Sequence, residues 1–169
     1  NLTYQHEQPI LGLHIPSHRP PFAYQRITNI PLEPKTIQQQ HQDYQNILQQ
    51  LYQSEHSRNP GSILKQSLIS LAVFSYGNTA IPPNAEYRRI YEEFQSLLSV
   101  LLPESLGFKK IEIRTPDIIF ITESGEFSLD AASGGIGALI GIAWQIFMYG
   151  DNKSEFVVTI DEPESHLHP

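Results

Sequence analysis

No cysteine occurs in the 169 residues, which excludes disulfide stapling and thiolate metal sites. No apolar run approaches the roughly 20 residues that a membrane-spanning helix requires. The opening stretch, Asn1 to Ile15, has no basic leading segment, so neither a membrane span nor a secretory signal is expected, and the expected setting is cytoplasmic. Positive charge is scarce: 11 Lys and Arg stand against 18 Asp and Glu, a net charge of −7. That balance disfavours a surface-wide affinity for polyanions, although a local basic patch is compatible with it. No serine stands in a nucleophile elbow, and without thiols no Ser or Cys triad can be argued. Nor is there a phosphate loop of the form G-x-x-x-x-G-K-S/T. The nearest approximation, PGSILKQS from Pro60 to Ser67, has Lys65 but lacks the second glycine and the following hydroxyl in register, so it cannot cradle a phosphate. What is present, 40% hydrophobic and 17% charged, suits about one domain with a core.

Three stretches differ in pattern. Residues 1–34 are apolar and proline-rich: Ile10, Leu11, Leu13 and Ile15 indicate a strand, and IPSHRPPF then enforces extended or turning backbone. Arg19, in that turn, is an anion-binding candidate. Residues 35–103 are helical. Tyr44, Ile47, Leu48, Leu51 and Tyr52 share one face of a glutamine-rich helix. A second helix runs from Ile63 to Tyr76 and ends at Gly77 and Asn78. A third carries Tyr87, Ile90, Tyr91, Phe94, Leu97, Leu98 and Leu101 on an apolar face that stops before Pro103. Beside that face lie Arg88 and Arg89, which could approach nucleic acid, although pairing with Glu92 or Glu93 on a solvated flank is the simpler reading.

Residues 104–169 return to strands. Lys109 to Thr115, Asp117 to Thr122 and Gly125 to Asp130 form a short antiparallel meander in this reading. From Asp130, DAASGGIGALIGIAWQI follows, with Ser133, Gly134 and Gly135 as a Cβ-poor turn before an apolar helix. Ser133 suits the N-cap, and the glycines would let an anion approach the unpaired N–H groups of the first turn; a capped core helix with closely packed glycines is the alternative. The last stretch, EFVVTIDEPESHLHP, reads as a buried strand from Phe156 to Ile160, with Asp161 and Glu162 at its carboxyl end. In an open α/β sheet ligands bind at that edge, and two adjacent carboxylates there can divide labour between a metal and an attacking water. A plain exit turn ended by Pro163 is the alternative. The fold class expected from these patterns is α/β.

The signature-like ASGGI, followed by one helix, a polar turn from Tyr149 to Ser154 and the strand ending in DEPESHLHP, resembles the ATP-binding-cassette ATPases. Within them it looks like the branch of OLD-like, RecF-like and SMC-type heads, and the OLD-like group in particular. The resemblance implies part of an ATPase head, with a helical lid or lobe and a meander before the signature helix and the Walker B strand. It also implies an ATP- and Mg²⁺-dependent ATPase that forms a homodimer around nucleotide and couples closure to an effector nuclease or nucleic acid, in phage defence or DNA maintenance. Carried over by position, Asp161 would help hold Mg²⁺, and Glu162 would polarise the attacking water. Ser133, Gly134 and Gly135 would meet the γ-phosphate of a nucleotide on the other subunit, while Ser165, His166, Leu167 and His168 would fall in the D-loop along the dimer seam. The missing phosphate loop departs from the pattern. The expectation is therefore a middle portion of a longer ATPase, inactive by itself.

Two alternatives use the same residues differently: a nucleotide sensor or structural partner that does not hydrolyse, and a Mg²⁺-dependent nuclease using Asp161, Glu162 and Glu164 directly. A transition-metal site at His166 and His168 is disfavoured, since H-x-H after a strand lacks a third well-spaced ligand. His14 and His18 are four apart, but Pro16 between them prevents a regular helix from presenting both.

Overall fold

The computed structural model describes residues 11–17, 19, 21–24, 27, 29–30, 36–53, 59–151, 153 and 155–165, with the backbone alone for 51–53. The architecture is mixed α/β. Strand β1 (Gly12–Ile15) is followed by helices α1 (Ile37–Gln53), α2 (Gly61–Tyr76) and α3 (Ala85–Leu101). Next come strands β2 (Phe108–Arg114), β3 (Asp117–Thr122) and β4 (Glu126–Ser128), helix α4 (Gly134–Gly150) and strand β5 (Val157–Ile160).

Helix α2 lies at the centre. Leu64, Leu68, Ile69 and Leu71 are buried and Ser62, Ser67, Ser70 and Ser75 are too, so the helix is covered nearly all round, as an evenly apolar helix must be. The Ser75 hydroxyl returns to the Leu71 carbonyl, which satisfies a polar atom without leaving the helix. Gly77 ends α2 at φ 63°; a Cβ there would stand 2.5 Å from the Ile81 carbonyl oxygen, so only glycine lets the chain turn back on itself. The turn leads into α3, where the Asn84 side chain accepts from the Glu86 and Tyr87 backbone N–H groups and so caps the helix.

One hydrophobic cluster joins these helices to the rest. Phe94 of α3 meets Trp144 of α4 edge-on at 4.9 Å between ring centroids and Phe147 at 5.5 Å, arrangements that aromatic quadrupoles favour. The meander forms as expected: β2 pairs antiparallel with β3, and β3 with β4. Alternate residues Ile118, Phe120 and Thr122 of β3 point inward, which fixes the register. Tyr91 on α3 donates to the Ile111 carbonyl at 3.2 Å, and Gln95 accepts from the Ile111 N–H at 2.8 Å, so β2 is pinned to α3 by polar bonds as well as by burial.

The parallel pair β1–β5 is where expectation and structure part. Gly12 is in register with Val157 and Ile15 with Ile160. On one face Leu13 and Ile15 are buried. On the other, Val157 and Thr159 are exposed, so β5 is half-solvated rather than buried. The physical reason is that the described elements cover only one side of this pair. A two-stranded parallel sheet with an open face is unusual, since parallel strands are ordinarily covered on both faces. Among the described residues, no helix is long and apolar enough to cross a membrane.

Candidate functional site

The acidic turn sits at the carboxyl end of β5. The Asp161 N–H donates to the Ile15 carbonyl at 2.9 Å, which extends the parallel ladder by one bond and places Asp161 and Glu162 just beyond it. Both are exposed. Glu162 has φ 45°, a left-handed conformation that a side chain other than glycine adopts at a cost. Its carboxylate accepts from the Ser165 hydroxyl at 3.1 Å, and its carbonyl accepts from the Ser165 N–H at 2.9 Å. His14, on β1, lies 3.5 Å from the Asp161 carboxylate through Nε2 and 3.1 Å from the Thr159 hydroxyl through Nδ1. His14 of the neighbouring strand therefore lies beside Asp161, with both side chains more than half exposed.

Arg19 holds the turn from below. Its Nη1 donates to the carbonyls of Pro16 at 3.1 Å and Asp161 at 2.9 Å. Its Nη2 donates to those of Glu162 at 2.7 Å and Ser165 at 3.4 Å. The guanidinium fork thus spans both strand ends, and the residue is buried. Two of its nitrogens are thereby committed to backbone carbonyls, which favours a structural role over the anion-binding candidacy. Five donors in a rigid plane suit this task. Fixing the carbonyls of Asp161 and Glu162 also fixes the directions in which their carboxylates leave the backbone.

The glycine turn lies at the start of α4. Ser133 caps it, with the hydroxyl accepting from the Ile136 N–H at 3.4 Å and the carbonyl accepting from the Gly137 N–H at 2.8 Å. Ser133 and Gly134 are exposed, and no heavy atom comes within 4 Å of where a Cβ on Gly134 would stand. The N–H groups of Gly134 and Gly135 have no acceptor among the described residues, as the first turn of a helix leaves them. Further along, the glycines pack tightly: a Cβ at Gly137 would approach the Phe22 ring to 3.1 Å. The two readings of this segment therefore apply to different glycines, open at Gly134 and close-packed at Gly137.

A buried ion pair anchors the approach to that turn. Lys65, 1% exposed, reaches Asp130 at 2.5 Å and Asp117 at 3.3 Å, and lies 5.3 Å from the Tyr24 ring centroid. The lysine of PGSILKQS is therefore a tie between α2 and the meander. Strand β4 stops at Ser128, and Leu129–Ala131 tighten into a 3-10 turn. This is shorter than the expected strand to Asp130, because Leu129 is buried and Asp130 turns toward Lys65. Three residues later comes Ser133.

Among the described residues, no hydrogen bond or ion pair joins Ser133, Gly134 or Gly135 to Asp161 or Glu162. The two groups of residues belong to successive elements, α4 and the strand tip after β5. His18, His166 and His168 lie outside the described residues. Also among the described residues, no group of three His, Asp or Glu side chains is placed to hold a metal ion. Arg88 pairs with Glu92 at 2.8 Å, and Arg89 with Glu86 at 2.7 Å, Glu93 at 2.6 Å and Asp151 at 3.1 Å. Hydrogen bonding to Glu92 and to Glu86, respectively, raises both guanidinium pKa values above the ordinary range. Arg89 thus ties α3 to the end of α4.

Sequence reasoning missed the roles of Arg19 and Lys65. For Lys65 a signal existed: a single cation within the apolar run of α2 calls for a buried partner. For Arg19 none did, because backbone carbonyls leave no trace in side-chain pattern. Comparison with protein-family models, with curated proteins and with solved structures finds no match to this chain.

Proposed function

We propose that this chain supplies two parts of a γ-phosphate site to an ATP-hydrolysing, ATP-binding-cassette-type ATPase of the OLD-like, RecF-like and SMC-like branch. The supporting observation is the α4–β5 unit. It carries an open, serine-capped helix start and an exposed acid pair at a parallel strand tip on consecutive elements. In this reading the Ser133 hydroxyl and the N–H groups of Gly134 and Gly135 receive the γ-phosphate of a nucleotide bound to a second protomer. A helix N-terminus favours such an anion. Glu162 would orient the attacking water, and Asp161 would help hold Mg²⁺.

The residues fit Mg²⁺ in one respect. This ion keeps most of its water and takes one or two carboxylates plus substrate phosphates, and Asp161 offers an exposed carboxylate beside His14. When bound, the ion would neutralise charge on the transferring phosphoryl group. This chain's own part is positioning: Arg19 holds the backbone carbonyls of the acids, and Lys65 holds the root of the glycine turn. Phosphoryl transfer depends on such placement more than on covalent chemistry. The phosphate loop that the reaction requires is not among these 169 residues, so the reading assigns it to other polypeptide. Closure around nucleotide would then drive an effector nuclease or bound nucleic acid.

The nuclease alternative is disfavoured, because its three carboxylates would have to converge on metal and no described group of three does so. The test is Glu162→Gln in a protein that includes a phosphate loop. Turnover should vanish while an ATP-dependent dimer accumulates; a variant that still hydrolyses ATP at the parent rate would rule the reading out. These 169 residues alone should show no micromolar ATP affinity by isothermal titration.

A further inference from the structure

Arg19 has one donor that the carbonyl cage does not use. Its Nε–H is sequestered from solvent and has no acceptor among the described residues. On α4, Gln145 is 3% exposed and donates through Nε2 to the Gly141 carbonyl at 3.3 Å. That bond settles which way the amide faces, and it leaves Oε1 buried without a donor. Both residues line one cleft between the end of β1, the start of α2 and the middle of α4. A charged donor and an amide acceptor, each desolvated and unpaired, are a combination that folded chains seldom leave unsatisfied.

We propose that this cleft is a built site for an ordered water molecule, which accepts a hydrogen bond from Arg19 Nε–H and donates one to Gln145 Oε1. A buried water is stable with two to four polar neighbours, and a site with this many meets that need. Organic ligands are excluded by the aromatic plug: Phe22 lies 2.4 Å from where a Cβ on Gly61 would stand, 3.1 Å from one on Gly137 and 3.9 Å from one on Gly141. The ring therefore fills the slot between α2 and α4, leaving only small spaces beside it. Water is the molecule that both fits and offers the two complementary bonds.

The consequence is a polar link across the molecule. Arg19 grips the carbonyls of Asp161 and Glu162, and Gln145 belongs to the helix that Ser133 opens. The water would join the acidic turn to α4 and hold the two at a fixed separation; this consequence, unlike the site itself, rests on the proposed function.

A high-resolution crystal structure of the chain tests the site directly. The expected result is solvent density within hydrogen-bonding distance of both Arg19 Nε and Gln145 Oε1. A direct bond between those two atoms, a dry cleft, or density for a larger molecule would overturn it. Thermal unfolding of Gln145→Met gives an independent sign. If water bridges, the nearly isosteric variant strands the Arg19 donor and its melting temperature falls. An unchanged or raised melting temperature would mean that Oε1 was merely unpaired, and the proposal fails. Neither readout involves nucleotide, so a failure here leaves the proposed function untouched, and the loss of that function leaves this site standing.

Discussion

Replacing Lys65 by Met removes the cation that joins α2 to the approach of the glycine turn. The Lys65 side chain is 2% exposed and that of Asp130 12%, so the variant leaves a carboxylate nearly out of water with nothing to neutralise it. Breaking a buried pair in this way costs about 3–5 kcal/mol. Asp117 is 42% exposed and regains hydration, so the lower end, about 3 kcal/mol, is expected. For a chain of this size that is a fall in melting temperature of roughly 6–12 °C. Urea unfolding of Lys65→Met, Asp130→Asn and the double variant forms a cycle. The double variant should be more stable than Lys65→Met alone, because no buried charge remains. Amide hydrogen exchange over 129–136 should quicken in the single variant, as the root of the turn loosens. A single-variant loss below about 1 kcal/mol, or strictly additive losses in the cycle, would refute the claim that this pair anchors the turn.

Other outcomes follow from the same geometry. Arg19→Lys keeps the charge but loses the fork across four carbonyls; denaturant titration should show a loss of about 2 kcal/mol or more, hydrogen bonds to charged groups being individually strong. At Glu162, where φ is 45°, Gly should be at least as stable as the parent and Val less stable than Gly by about 1–2 kcal/mol; equal melting temperatures for the two would deny the left-handed conformation. Burial, and then the nearby Lys153 charge, hold the His41 pKa below its ordinary 6.5. The unfolded chain therefore binds this proton more readily, so stability is constant above about pH 6.5 and declines as pH falls below it until the folded-state value is passed. His41→Phe, which keeps a ring against Tyr149, should flatten that part of a melting-temperature profile.

Much of the backbone was legible in the sequence. The apolar stripe of α3 and the alternation Ile118, Phe120, Thr122 in β3 each report a face that must be buried, and period alone reveals such faces. Ser133 was readable as a cap because its hydroxyl meets a local need. The exposure of β5 was not: Phe156 to Ile160 is equally apolar whether one face or two are covered, and only the neighbouring elements decide. The candidate residues Ser133, Gly134, Gly135, Asp161 and Glu162 stood out as residue types at a spacing. Their supports did not, because Arg19 acts on backbone oxygens and Lys65 finds Asp130 across 65 positions of chain. Side-chain composition records neither kind of contact.

The most direct measurement is a structure of the Glu162→Gln protein, with its phosphate loop supplied, bound to ATP and Mg²⁺. The account predicts a dimer in which Ser133 and Gly135 of one protomer lie within hydrogen-bonding distance of a γ-phosphate seated beside Asp161 of its partner. Bound nucleotide with the Ser133 turn facing solvent, or a γ-phosphate remote from the tip of β5, would contradict it.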